Sequence, residues 1–317
     1  SINVLPKNVQ YQSILFLISG GFLLAFQDAL VKFSSDWTSF WQFQALRSGF
    51  NLLLLVTVPV FLGIRLSSLI PKNVGWVAFR TSFLILCMFC FFCAAPVLTF
   101  AQMTTGLYTY PVFVVILSIL FLGEKLTALK FVSIALGVIG ANLVLKPWDS
   151  NFSSLQIFPI MAGFFYACNL FVLKKYCAYE QPIALTAAVA IGFMLSGLLG
   201  GLFVDNFLTN ESFKLSMPFI SVGWPKLTAL VILFAAIASV FNLSGNLFLV
   251  KAYQTSESSF LAPLDFLYLV FALFWGKVLF DTIPDHFGLF GILLIIFSSV
   301  TVAVQASKLN LTLKFRL

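Results

Sequence analysis

The run SILFLISGGFLLAFQDALVKF, residues 13–33, decides the fold class. It is apolar over a length that crosses a ~30 Å hydrocarbon layer, which takes ~20 helical residues. Only Asp28 and Lys32 interrupt it with charge. A charge at helix depth in lipid costs at least ~2.5–3.5 kcal/mol on insertion scales, so such a residue normally faces a bundle interior or a wet cavity. The run is too long for the apolar core of a cleavable leader, and no small-residue cleavage pattern follows it. It reads as a first membrane helix.

The rest of the chain follows suit. Of 317 residues 61% are hydrophobic and only 9% charged, with a mean hydropathy of +1.04. A soluble domain carries roughly a quarter charged residues, because water-facing surface needs polar cover. Nine further apolar spans lie near residues 38–63, 76–97, 102–122, 127–146, 155–175, 183–204, 227–250, 258–280 and 287–306. Pro96 and the polar cluster Gln102, Thr104 and Thr105 divide the third span from the fourth, a nine-span count being the alternative. The expected fold is an all-α polytopic membrane protein with ten transmembrane helices.

Net charge is +7 and the pI near 9.2, but the basic residues are scattered between apolar spans and form no stripe interleaved with aromatics. Nucleic acid is therefore not an expected partner. With the N-terminus inside, Lys7, Arg65, Lys72, Lys125, Lys130, Lys174, Lys175, Lys251, Lys308, Lys314 and Arg316 fall at inner ends. Lys32, Lys146, Lys214, Lys226 and Lys277 fall at outer ends. That asymmetry predicts both termini in the cytoplasm of a cell carrying the chain in its inner membrane. The outer stretch 205–226, with Asp205, Glu211, Pro218 and Pro225, reads as a surface cover. Cys87, Cys90 and Cys93, at intervals of three, fan across ~120° of a helix and read as small buried contact residues. No disulfide, metal site or cofactor is expected.

The two halves resemble each other. Tyr110-Pro111-Val-Phe113, Gly123-Glu124-Lys125 and Gly137 to Gly140 are matched by Pro263-Leu-Asp265-Phe-Leu-Tyr268, Phe280-Asp281 and Gly288 to Gly291. Repeats of five spans are odd-numbered, so the second enters from the opposite face, a recurring basis of alternating access. The expected units are residues 1–148, residues 149–308 and a tail at 309–317.

Phe26-Gln-Asp28-Ala-Leu-Val-Lys32, Gln44-Ala-Leu-Arg47, Phe79-Arg80, Tyr110-Pro111-Val-Phe113 and Leu122-Gly123-Glu124-Lys125 follow one another in the first half. Lys251-Ala252-Tyr253, Ala262-Pro263-Leu-Asp265 and Ile283-Pro284-Asp285 follow in the second. This ordered set resembles the drug/metabolite transporter superfamily in its EamA-type form. The Asp28 to Lys32 element and the Lys251 to Pro263 stretch look most like its S-adenosylmethionine uptake branch. The resemblance implies a ten-helix transporter built from two inverted repeats and a small metabolite as cargo.

Candidate translocation residues are those whose polarity lies inside spans. Asp28 and Arg47 both fall in the outer half and could face one another, either as a site for a cargo or proton or as a structural ion pair. Arg80 enters span three near the cytoplasmic side, where anchoring at headgroup level competes with steering of anions. Asp265, just after Pro263, forms a candidate cluster with Tyr268. Asn242 and Asn246 share a face of span eight with Ser239, and Asn169 lies near the repeat counterpart of Asp28; packing between helices competes with ligand contact for all of them. Tyr110 is among the aromatics that could stack on a cationic or ring-bearing cargo. Lys32, near the outer interface, is expected to snorkel. Gly197 and Gly201 form a GxxxG pattern for close helix approach, within the chain or across a dimer.

These residues favour a secondary or facilitative transporter of a small polar metabolite, with zwitterionic, amino-acid-like and S-adenosylmethionine-like compounds as candidates. Its partners would be that metabolite, the lipid bilayer and a coupling ion such as a proton, with the chain as a monomer or homodimer. An intramembrane enzyme would need a reactive constellation. The sequence offers no HExxH pattern, and its single histidine, His286, sits at a loop. No catalytic residue is expected. A receptor or scaffold would have no need of charges on several spans.

Overall fold

The computed structural model describes residues 7–121, 123, 125–146, 148–150, 152–255 and 265–314. Every regular element among them is helical. These are α1 (Lys7–Ser34), α2 (Phe40–Phe61), α3 (Val74–Phe92), α4 (Phe100–Leu107), α5 (Tyr110–Phe121), α6 (Ala128–Leu145) and α7 (Ile157–Tyr176). They continue with α8 (Pro182–Phe207), α9 (Glu211–Ser216), α10 (Pro218–Ser221), α11 (Ala229–Thr255), α12 (Leu267–Phe280) and α13 (His286–Lys314). With α4 and α5 taken as one stretch, eight helical stretches among the described residues are long and apolar enough to cross a membrane. Shorter apolar helix occupies Leu267–Phe280 and His286–Ser298.

Helix ends follow from local chemistry. The side chains of Ser39, Asn73 and Thr127 accept from the amides of Gln42, Trp76 and Lys130, which the first turn of each helix leaves unpaired. Between α3 and α4 the chain turns through residues 93–99 and restarts on a reciprocal capping box of Thr99 and Gln102. That is the division expected at Pro96. A second break falls inside the fourth span, which the sequence led us to expect as one continuous helix. Pro111 has no N–H to offer the Leu107 carbonyl, so α4 stops there and α5 begins at Tyr110. At this break Thr109 donates to the Gly106 carbonyl from both its hydroxyl and its amide, at 2.6 and 3.3 Å.

The helices pack in a closed set. α1 lies on α11 and α12, α2 on α8 and α11, α3 on α7 and α8, α4 and α5 on α7, α4 on α12, and α6 on α13. The largest buried cluster includes Phe43, Phe91, Phe92 and Met103, with Cys87 and Cys93 filling gaps between helices. All five cysteines are free and buried. α2 and α8 run antiparallel and close: a Cβ on Gly197 would sit 2.6 Å from the Trp41 carbonyl oxygen and 2.7 Å from the Ala45 nitrogen. The GxxxG glycines thus serve a contact within the chain. α6 and α13 cross at Gly140 and Gly291, where a Cβ on either would meet the other's carbonyl oxygen, at 2.6 and 2.5 Å. Large apolar side chains such as Leu199, Phe203, Phe207 and Leu247 are exposed on the outside.

Candidate functional site

Two carboxylates and four tyrosines meet in the bundle interior. Asp28 on α1 accepts from Tyr268 Oη at 2.5 Å and from Gln27 Nε2 at 2.7 Å. The Tyr268 ring stacks on Tyr108, with centroids 4.7 Å apart and planes 9° from parallel. Tyr108 meets Tyr110 edge-on at 5.6 Å, and Tyr110 in turn meets Tyr166 at 4.8 Å. Tyr110 Oη donates to Asp265 Oδ2 at 3.2 Å. Tyr108 and Tyr268 are buried, and Asp28 and Asp265 are half-buried as residues. The break at Tyr108–Thr109 is what brings Tyr108 and Tyr110 to this point.

Arg47 is 2% exposed and does not pair directly with Asp28. Its Nη1 donates to Gln27 Oε1 at 2.7 Å and its Nη2 to Gln44 Oε1 at 2.8 Å. Gln27 therefore accepts from the guanidinium and donates to the carboxylate, linking the two candidates through one amide. Held at both terminal nitrogens, Arg47 fixes the orientation of Gln27 and through it that of Asp28.

Arg80 on α3 is partly exposed as a residue, yet its Nε and Nη1 are buried without a partner among the described residues. Asn169 on α7 is buried; its Nδ2 donates to the Tyr166 carbonyl at 3.3 Å and its Oδ1 has no partner. Asn242 and Asn246 lie apart from this cluster in a seam between α11 and α2. Asn51 Nδ2 donates to Asn242 Oδ1 at 3.1 Å, Ser239 Oγ donates to Asn51 Oδ1 at 2.6 Å, and Asn246 Nδ2 donates to the Asn242 carbonyl at 2.9 Å. Those groups satisfy one another, the arrangement expected of helix packing.

Lys32 Nζ donates to the carbonyls of Ala95 and Leu98, at 2.5 and 2.7 Å, and lies 5.1 Å from the Phe280 ring centroid. The turn between α3 and α4 leaves those carbonyls without helical partners, and the ammonium caps them. Glu124 and Pro263 lie outside the described residues. Gln27, Gln44 and Tyr166 were not singled out from sequence; their one signal is polarity within an apolar span.

A separate cavity of about 320 Å³ is lined by Thr99, Gln102, Lys146, Gln156, Thr282 and Asp285, among others. Lys146 and Asp285 form an ion pair across it. The hydrogen bond from Lys146 and that from the Gly288 amide hold the Asp285 carboxyl below the usual carboxylate range.

Comparison with known proteins gives the arrangement a context. Residues 12–146 match the EamA-like transporter family. An uncharacterized transporter of Helicobacter pylori is 27% identical over 301 residues, covering 95% of this chain and 97% of the relative. A riboflavin transporter of Vibrio cholerae is 23% identical over 283 residues, covering 88% of each. An S-adenosylmethionine uptake transporter of Rickettsia conorii is 26% identical over 217 residues, covering 67% of this chain and 66% of its own. A solved crystal structure overlays with a TM-score of 0.60 at 15% identity, over 93% of this chain and 98% of its own, a likeness of fold alone. Residues 12–146 are thus an EamA-family domain of the drug/metabolite transporter superfamily, in a multi-pass membrane protein whose homologues are transporters of small metabolites.

Proposed function

We propose that the chain is a ten-span secondary or facilitative transporter that moves a small polar metabolite by alternating access. Its two inverted five-helix repeats are residues 1–148 and 149–308, followed by a tail at 309–317, with both termini in the cytoplasm and the chain in an inner membrane. The observation that carries the reading is the pair of carboxylates, Asp28 and Asp265, joined through tyrosines inside an apolar bundle. Uncompensated charge is expensive there and persists where it meets cargo or a coupling ion.

Helix packing supports the repeat. Number the spans from one to ten, with α4 and α5 as span four and α7, α8, α11, α12 and α13 as the last five. Adding or subtracting five turns α1 on α11 into α7 on α3, and α1 on α12 into α7 on α4 and α5. It likewise turns α2 on α11 into α8 on α3. The pairs α2 on α8, α4 on α12 and α6 on α13 map onto themselves, as pairs astride a two-fold axis must.

The stacked tyrosines suit a ring-bearing cargo, and the carboxylates suit a cationic group on it. Riboflavin and S-adenosylmethionine, the cargoes named for two relatives, are the first to test. Purified protein in liposomes should take up one of the two, or another small metabolite from a thermal-shift panel, against a protein-free control. Asp28→Asn should lower that uptake at least tenfold while the protein stays monodisperse. Wild-type uptake by this variant would remove Asp28 from the pathway, and no uptake of any panel member by the parent would remove the transport reading.

A further inference from the structure

Two arginines enter the bundle, and their donors are used differently. Arg47 commits both terminal nitrogens to Gln27 and Gln44 and leaves only Nε unmade among the described residues. Arg80 Nε and Nη1 are shielded from solvent and meet no acceptor among the described residues. A guanidinium stays charged and presents its donors in a planar fork that matches a carboxylate. Buried donors left unmade are costly, and native folds that retain them call for a specific explanation.

The surroundings narrow that explanation. Trp76 stacks on Tyr176, and Val77 packs with Val172 and Cys177, which sets an antiparallel register between α3 and α7. In that register Arg80 is level with Val172, and Asn169 lies about one turn deeper. Asn169 contributes a buried acceptor, Oδ1, that is also unmade. Tyr166, whose carbonyl holds the Asn169 amide, is within electrostatic reach of both Arg80 and Asp265. A headgroup anchor would leave its nitrogens open to the membrane surface, whereas these two are shielded from solvent.

We propose that Arg80 is the anion-binding pole of the cargo site. Its Nε–H and Nη1–H fork receives a carboxylate of the cargo, while Asp265 and Asp28 receive the cationic end. The inference rests on the transport reading and narrows the cargo to a bipolar, amino-acid-like molecule.

Two measurements on the purified full chain test it. First, Arg80→Met should raise the unfolding temperature of the empty protein by about 2 °C or more, because it removes a buried cation with unmade bonds. An unchanged or lower temperature overturns the proposal, since a structural pair or an anchor loses stability when cut. Second, at about pH 8.5, where the imidazole ring is neutral, L-histidine, imidazole-propionate and histamine carry that ring with both charges, the anion alone and the cation alone. At millimolar concentration the two carboxylate-bearing probes should stabilise the parent protein, and Arg80→Met should lose that response while keeping any response to histamine. Arg80→Lys should recover part of the carboxylate response, being charged but without the fork. Carboxylate probes that fail to stabilise the parent, or that act equally on Arg80→Met, overturn the proposal. So does a response to anionic phospholipid, in place of the probes, that depends on Arg80. Each of these failures leaves liposome uptake, and with it the transport reading, standing.

Discussion

The antiparallel α2/α8 pair is fastened to a connecting segment at each end, by the same device at different depth. At one end Asp205 accepts from the successive amides of Gly223 and Trp224, each at 2.9 Å. Ser39 Oγ, Trp41 Nε1 and Gln42 Nε2 add bonds to the carbonyls of Gly223, Ile220 and Pro225, at 2.5, 2.8 and 2.9 Å. At the other end Glu180 accepts from the successive amides of Lys72 and Asn73, at 2.8 and 2.7 Å. There Trp76 lies face to face on Tyr176, with centroids 3.6 Å apart. Met217, Phe219, Ile220 and Ser221 are buried in the segment at the first end, although Asp205 itself is exposed, whereas Trp76 and Tyr176 are each 37% exposed at the second. Hydrogen bonds that water can replace hold little net energy, and those sealed from water hold more. In the proposed orientation the Glu180 end is the cytoplasmic one.

The largest expected effect comes from forcing the pair itself apart. Gly197→Val places side-chain atoms against the Trp41 carbonyl and the Ala45 nitrogen and should cost about 3 kcal/mol, the upper range for overpacking. Size-exclusion profiles after graded heating would register it, and an unshifted profile would show that the crossing is looser than described. Asp205→Ala removes the acceptor of two amides, one of them on buried Gly223, and should cost about 1–1.5 kcal/mol in thermal unfolding. Glu180→Ala should cost less, about 0.5–1 kcal/mol, because water reaches the amides it abandons. Its signature should instead be access. Cys177, 2% exposed beside this end, should react several-fold faster with a maleimide in Glu180→Ala than in Asp205→Ala. Equal rates would erase the distinction between the ends.

The smallest effect concerns a third tie, between Lys146 and Asp285. The folded carboxyl titrates below its ordinary value, so its contribution is complete above the ordinary carboxylate range and is lost as pH falls through the lowered one. Lowering pH from about 5 to about 3 should therefore destabilise the parent slightly more than Asp285→Asn. The exposed setting keeps the difference small. A larger acid sensitivity in the variant would contradict the sign.

Runs of apolar residues announced the long helices because span length is set by the bilayer, and Pro96 with the Thr99–Gln102 cluster announced the turn before α4. The same logic applied to Pro111 would have found the break inside the fourth span. It was hidden because a proline near a helix start is also a normal first-turn residue. Charge inside spans pointed to Asp28, Arg47, Arg80 and Asp265. What each charge touches was not legible, because partners such as Gln27 and Tyr166 are ordinary polar residues until the fold sets them 2.7 Å from a guanidinium or beside a second tyrosine. The sequence favoured Arg47 over Arg80 as a ligand group. The geometry shifts the weight, since among the described residues the more buried arginine engages both terminal nitrogens and leaves only Nε unmade, whereas Arg80 leaves Nε and Nη1 unmade.

Gly140 and Gly291 carry a consequence for how such a chain drifts. Each position is held small by the carbonyl of the other, so neither can accept a side chain while its counterpart's backbone stays in place. Changing both at once does not relieve the conflict, because backbone, not side chain, is what each would strike. A library randomised at either codon should return glycine almost alone, and a library randomised at both should return the glycine pair. At this crossing, as in milder form where Gly20 meets Gly245, each half of the chain polices the spelling of the other.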